Sequence, residues 1–175
     1  YLCDENFRND IRKRGDDPDE LLIQYSRALS EAIADRPSNM TVTTHMCRGN
    51  FQSTYMTSGG YDAVAEQMFD ELKVDGYFME YDSDRAGGFE PLRFIPDNRM
   101  VVLGLITSKS PELENKDDIK RRIDEASKFV NADQICLSPQ CGFSSTHHGN
   151  NLSPDQQAKK LELVVEIAEE VWGES

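Results

Sequence analysis

Apolar residues along this chain fall into two alternating rhythms. Residues 1–15 are mostly charged, with Phe7 and Ile11 one helical interval apart, and read as a short helix. Leu21, Leu22, Tyr25, Ala28, Leu29, Ala32 and Ile33 recur at three- and four-residue spacing, the pattern of a helix that packs one face. Asp16-Asp17-Pro18-Asp19-Glu20 supplies its start, with an Asp cap, a proline in the first turn and acids at the positive end of the helix dipole. It is expected to run to about Asp35, where Arg36-Pro37-Ser38-Asn39 breaks it. Met40-Thr41-Val42-Thr43-Thr44 is short and β-branched, which predicts a buried strand. Helical spacing returns from Tyr61 to Lys73, with Val64, Ala65, Met68, Phe69 and Leu72 inward, and Gly76 to Glu80 is the second strand. A Gly87-Gly88 loop, a short helix near Phe89 to Phe94 and a Pro96-Asp97-Asn98 turn lead to Met100 to Leu105. That run is nearly all apolar, as a parallel strand covered on both faces should be. Lys116 to Val130 is helical through Ile119, Ile123, Ala126, Phe129 and Val130, and Gln134 to Leu137 is the fourth strand. Ser153-Pro154-Asp155 opens a long helix carrying Ala158, Leu161, Val164, Val165, Ala168, Val171 and Trp172, closed by Gly173.

Strand and helix alternate four times, and no Asn-Gly or Asp-Gly turn joins two strands directly. That rhythm predicts right-handed βαβ units and a parallel sheet. The expected class is α/β, with four βα units forming half of a (β/α)8 TIM barrel; a small open doubly wound sheet shares the same periodicity. At 175 residues the chain holds one domain's worth of material, short of a whole barrel. It begins at Tyr1 and reads as a piece of something longer, so residues 1–175 are expected to form a single domain fragment.

Charge narrows the partners. The formal net charge of -13 is spread along the helices as Glu and Asp, which argues against nucleic acid, whose binding requires clustered Lys and Arg. No run is long and apolar enough to cross a membrane, and no leader resembles a secretory signal, so a cytoplasmic protein is expected. In a reducing compartment the four cysteines, Cys3, Cys47, Cys136 and Cys141, are metal ligands or core residues before they are disulfides.

Candidate chemistry gathers at the strand ends. His45 and Cys47 follow the first strand, Glu80 closes the second, and Cys141 comes shortly after the fourth. Taken singly each has a plainer reading: a chance His-x-Cys pair, a solvated carboxylate, a small core cysteine. Together they are the donor types zinc accepts, and the C-terminal ends of barrel strands are where such a site would form. One neutral imidazole, two thiolates and one carboxylate carry minus three against the ion's plus two. Such a centre is a poor Lewis acid towards carbonyls and suits holding an incoming thiol as a nucleophilic thiolate. Thiol alkylation uses those properties.

His45-Met46-Cys47, the Glu80 of Tyr77-Phe78-Met79-Glu80-Tyr81-Asp82, and Ser138-Pro139-Gln140-Cys141-Gly142-Phe143 resemble the zinc-ligand motifs of the cobalamin-independent methionine synthase family. Cys47-Arg48-Gly49-Asn50-Phe51, Ser58-Gly59-Gly60-Tyr61 and the Val165 to Gly173 segment resemble its short members, which have only the C-terminal catalytic barrel. The resemblance covers nearly the whole chain and corresponds to the second half of that barrel, so the N-terminal half is an expected partner. It implies Zn2+ held by His45, Cys47, Glu80 and Cys141, and methyl transfer from a methylated folate or another donor to the thiol of homocysteine. Glu80, the hardest donor, would also act in catalysis by yielding to the substrate thiol. One departure bears on the donor. The family has, in the third strand-end loop, a His read as the acid that protonates the folate leaving nitrogen; here Ile106-Thr107-Ser108-Lys109-Ser110-Pro111 puts Thr107 there, and a threonine cannot do that work at neutral pH.

Asp82, Asp84 and Arg85 follow Glu80 and are candidates to orient it or to bind the amine or carboxylate of a substrate, with a surface ion cluster the plainer reading. His147 and His148 lie in a polar loop and read as solvated, Ser58-Gly59-Gly60 could hold an anion before a helix, and Cys3 and Cys136 read as non-ligands. Two other functions fit the same residues: zinc-dependent addition of a thiol of the coenzyme M type to an epoxide, and a non-catalytic, zinc-stabilised binding domain.

Overall fold

The computed structural model describes residues 1–144 and 146–173. Its centre is one parallel sheet, ordered β1 (Thr43–Met46), β2 (Gly76–Glu80), β3 (Met100–Ile106) and β4 (Ile135–Pro139). Helices α1 (Glu5–Lys13) and α2 (Pro18–Ala32) precede it, and α3 (Ala65–Glu71), α4 (Lys116–Ala126) and α5 (Pro154–Trp172) follow β1, β3 and β4. A 3-10 turn, Glu90–Phe94, stands in for a helix between β2 and β3.

The helices begin where side chains satisfy their first amides. Asp4, Asp17 and Asn115 each accept backbone N–H groups at the starts of α1, α2 and α4, and Ser153 and Gln156 form a reciprocal capping box on α5. Each cap stabilises its helix by about 1 kcal/mol. The register pairs His45 with Phe78, Phe78 with Val102 and Val102 with Cys136 on one face. The alternate residues Tyr77, Met79, Val101, Leu103 and Ile135 face the helices and are buried with Val64, Met68 and Phe69 of the α3 region, Ile119 and Ile123 of α4, and Leu163 and Ile167 of α5. The core therefore lies between sheet and helices. The opposite face carries Phe78, Glu80 and the polar strand ends.

β2 has its expected bounds. β1 starts three residues later than its composition predicts, because Val42 is claimed before it can enter the ladder: its N–H donates to Asp75 Oδ2 at 2.8 Å and its carbonyl accepts from the Asp75 amide at 2.7 Å. Asp75 also binds Arg36 and Arg99, so one carboxylate fixes the N-terminal ends of the first strands.

The predicted packing face of α2 is largely uncovered. Leu22 is buried, yet Tyr25 and Leu29 are 59% and 53% exposed. α2 rests on α3 through Arg27 to Glu71 and Ser30 to the Glu71 carbonyl, and no described element lies over its remaining apolar side. On α5 the buried positions are Lys160, Leu163 and Ile167, whereas Leu161 and Val165 face outward. Periodicity reports which residues share a face, not whether that face has a neighbour.

Candidate metal centre

β1 sets His45 on the open face of the sheet and ends one residue before Cys47. Glu80 is the last residue of β2 and lies on the same face, and Cys141 follows the end of β4 by two residues. One donor atom from each of these four residues lies within 4.8 Å of all the others. That meeting depends on the sheet's shape. β1 and β4 are its outermost strands, and in a flat sheet three interstrand gaps would hold them about 14 Å apart. The sheet curls towards its open face, as the wall of a barrel does.

The donors fit a zinc ion in type and spacing. Zinc with N, O and S donors at about 2.0–2.3 Å gives tetrahedral edges of roughly 3.3–3.8 Å; His45 Nε2 and Glu80 Oε1 are 3.6 Å apart. Without an ion the cluster attracts a proton instead. His45, hydrogen-bonded by Cys141 and then by Glu80, has its pKa raised to about 10, so a divalent cation would displace a proton held by the same anionic surroundings.

Glu80 is fully buried. Burial opposes its ionisation, but hydrogen bonds with His45, the Arg48 amide and Arg85 outweigh that and hold its carboxyl below the usual range. Oε1 accepts from Arg48 N–H at 3.1 Å and Oε2 from Arg85 Nη2 at 3.1 Å. The same Arg85 nitrogen donates to Asp82 Oδ1 at 2.8 Å, and Asp82 Oδ2 accepts from Thr107 Oγ1 at 3.2 Å. Asp82 and Arg85 thus sit directly behind Glu80, with side chains only 5% and 9% exposed.

The loop after β1 is fixed by Arg48, whose buried guanidinium donates to the Gly59 carbonyl and lies over the Tyr61 ring. Gly59 has φ +115°, and a Cβ there would fall 2.3 Å from the Cys3 carbonyl oxygen, so only glycine fits. The anion foreseen at Ser58-Gly59-Gly60 is internal: Ser58 N–H donates to Asp4 Oδ2 at 2.9 Å. Loops from the two outer strands meet above the donors, where Asn50 Nδ2 donates to the Gly142 carbonyl at 2.7 Å and Phe51 packs edge-on against His148. His147 and His148 are exposed. Cys3 and Cys136 stand outside the four-donor group, and burial raises both thiols. None of the four cysteines is in a disulfide.

Sequence reasoning assigned no role to Gly104 or Gln140. Gly104 pairs with Glu80, and a Cβ on it would lie 2.6 Å from Gln140 Cα and 2.9 Å from the Met79 carbonyl oxygen. Its missing side chain lets the Cys141 loop approach β3. Gln140, 1% exposed, is held by Nε2 to Ser108 Oγ at 3.1 Å. The available signal was its adjacency to Cys141. A cavity of about 280 Å³, lined by His45, Phe78, Ser138, Gln140 and Cys141 among others, opens beside the donors.

No described helix is long and apolar enough to cross a membrane. Residues 8–170 match the family model of the cobalamin-independent synthase catalytic domain. The chain is 59% identical over 173 residues to the Bacillus subtilis (strain 168) protein named uncharacterized protein YxjG, an alignment covering 98% of this chain and 46% of that one. It is 24% identical over 157 residues to a 5-methyltetrahydropteroyltriglutamate–homocysteine methyltransferase of Bacillus licheniformis, covering 90% of this chain and 18% of the relative. Among solved structures, a Listeria monocytogenes protein assigned as a vitamin-B12 independent methionine synthase superposes with a TM-score of 0.71 at 38% identity, over 91% of this chain and 44% of that one. The chain thus spans about half the length of YxjG and of the Listeria protein. With the match running through all four βα units, the chain belongs to the cobalamin-independent methionine synthase family and corresponds to the C-terminal half of its catalytic TIM barrel.

Proposed function

We propose that this chain carries the metal-binding half of a zinc-dependent methyltransferase that moves a methyl group from a methylated folate, or another donor, to the thiol of homocysteine, giving methionine in the cytoplasm. The observation that carries the reading is the convergence of His45 and Cys47 from β1, and Cys141 from beyond β4, the two outer strands of one sheet, on Glu80 of β2. A bound zinc ion would supply a thiolate at neutral pH that stays nucleophilic, because the donor set is already electron-rich.

The chain's own residues contribute orientation and access. Arg85 and the Arg48 amide grip the two oxygens of Glu80, fixing the carboxylate that faces His45. With both side chains buried and mutually satisfied, Asp82 and Arg85 act as orienting groups for Glu80, not as contacts to a substrate carboxylate or amine. The cavity beside His45 and Cys141 gives a small thiol a route to the donors. The other half of the barrel would close over the open face and supply the remaining substrate contacts.

The test uses the full natural chain. Purified protein should hold close to one zinc per chain, and Cys141→Ser should lose most of it. Wild-type protein should methylate homocysteine from methyltetrahydrofolate or methylcobalamin. Absence of tightly held zinc, or a Cys141→Ser variant that retains it, would remove the catalytic reading.

A further inference from the structure

The loop after β3 raises the question of which group serves the methyl donor. Thr107 is committed to structure: its hydroxyl donates to Asp82, it accepts from the Lys109 amide at 3.2 Å, and its own N–H donates to Glu114 Oε1 at 2.8 Å. That turn directs Lys109 towards the donors. Lys109 Nζ donates to Gln140 Oε1 at 3.4 Å, and Gln140 is buried, clamped to Ser108 and adjacent to Cys141. The charges facing the ammonium are Glu80 from β2, Asp82 and Arg85 from the loop after it, and Cys141 from the loop after β4. Arginine does not give up a proton in this pH range, and burial pushes the hydroxyls of Tyr61 and Tyr81 further from doing so.

Resting on the methyl-transfer reading above, with a methyl group that leaves a folate nitrogen, we infer that Lys109 is the proton donor to that leaving nitrogen. The sulfur lone pair of the substrate thiolate forms the new S–C bond, and the methyl C–N bond breaks with its electron pair left on nitrogen. A Lys109 N–H proton passes to that nitrogen. The amine leaves as a neutral secondary amine, and the neutral lysine recovers a proton from water. A methylsulfonium donor would need no such group, because its leaving thioether departs neutral.

The experiment compares 5-methyltetrahydrofolate with S-methylmethionine, a sulfonium, using zinc-loaded full natural chain. Lys109→Met should lower kcat with the folate by at least about 100-fold with little change in KM. Lys109→Arg, which keeps the charge but cannot release a proton, should be as slow as Met. Lys109→His should recover part of the rate with its acidic-form limb moved to lower pH. Zinc content and Tm of each variant check that it is folded. Near-normal folate turnover in the Met variant, rescue by Arg, or an unmoved pH profile in His would overturn the role of Lys109. A wild type that uses only the sulfonium overturns the amine donor and leaves methyl transfer standing; a wild type that uses neither removes both.

Discussion

Gly104→Ala tests how closely the sheet's shape is tied to the donor set. The added Cβ would stand 2.6 Å from Gln140 Cα and 2.9 Å from the Met79 carbonyl oxygen. Carbon atoms settle at about 3.5 Å or more, so the Gln140 backbone must retreat by roughly 0.9 Å or β3 must bend away from β2. Either movement carries Cys141, the next residue, away from His45 and Glu80. Because metal–ligand distances tolerate only about 0.2 Å, zinc affinity should fall about 10- to 100-fold, as when other supports of a metal site are removed. Overpacking should cost about 1–3 kcal/mol of stability, or roughly 2–4 °C in Tm per kcal/mol for a chain of this size. Competition against a chromophoric chelator reads the affinity, and a thermal melt of the metal-free protein reads the packing cost separately. Zinc affinity within two-fold of wild type, with Tm unchanged, would show that β4 does not rest on Gly104 as described.

Three further outcomes follow from the same contacts. Arg85→Met removes the donor on Glu80 Oε2 and should weaken zinc binding about tenfold or more, measured by the same competition. Asp75→Ala frees the Val42 amide and leaves Arg36 and Arg99 without their partner, costing about 2–3 kcal/mol in denaturant unfolding at pH 7. The Val42 N–H, aided by the two arginines against burial, holds the Asp75 carboxyl below its ordinary 3.8; its stabilisation is complete above that value and fades as pH falls through the lower folded value, so the wild-type and Ala curves should converge on the acid side. Glu114→Gln strands the fully buried Lys160 ammonium, which Glu114 holds at 2.9 and 3.0 Å, and should cost about 3 kcal/mol. Adding Lys160→Met should recover much of that, and equal losses in the single and double variants would refute the pairing.

Much of the fold was legible because the strongest patterns coincide with the best-covered elements. Gly76–Glu80 carries its bounds in its composition, and Met100 to Leu105 falls one residue short of the observed end at Ile106. The start of β1 was not legible: Met40-Thr41-Val42 has strand composition, but pairing is decided by a carboxylate 33 residues away. The apolar faces of α2 and α5 misled in the same manner, since Tyr25, Leu29 and Val165 obey helical spacing yet stay more than half exposed. The four candidate donors, which the structure brings within 4.8 Å of one another, could be picked out because reactive residue types follow apolar runs. The groups that aim them could not: Gln140 and Ser108 are 32 positions apart, and their hydrogen bond exists only once β3 and β4 lie side by side.

The division of the donors among β1, β2 and the loop after β4 makes curvature a chemical quantity. Flattening the sheet separates the two halves of the coordination set, so taking up an ion and bending the sheet are a single thermodynamic event. A change on the far side of α2 or α5 that lets the wall straighten would then be reported as weakened ion binding, although no donor had been touched. An ion bound there would serve the chain as a strain gauge for its own barrel.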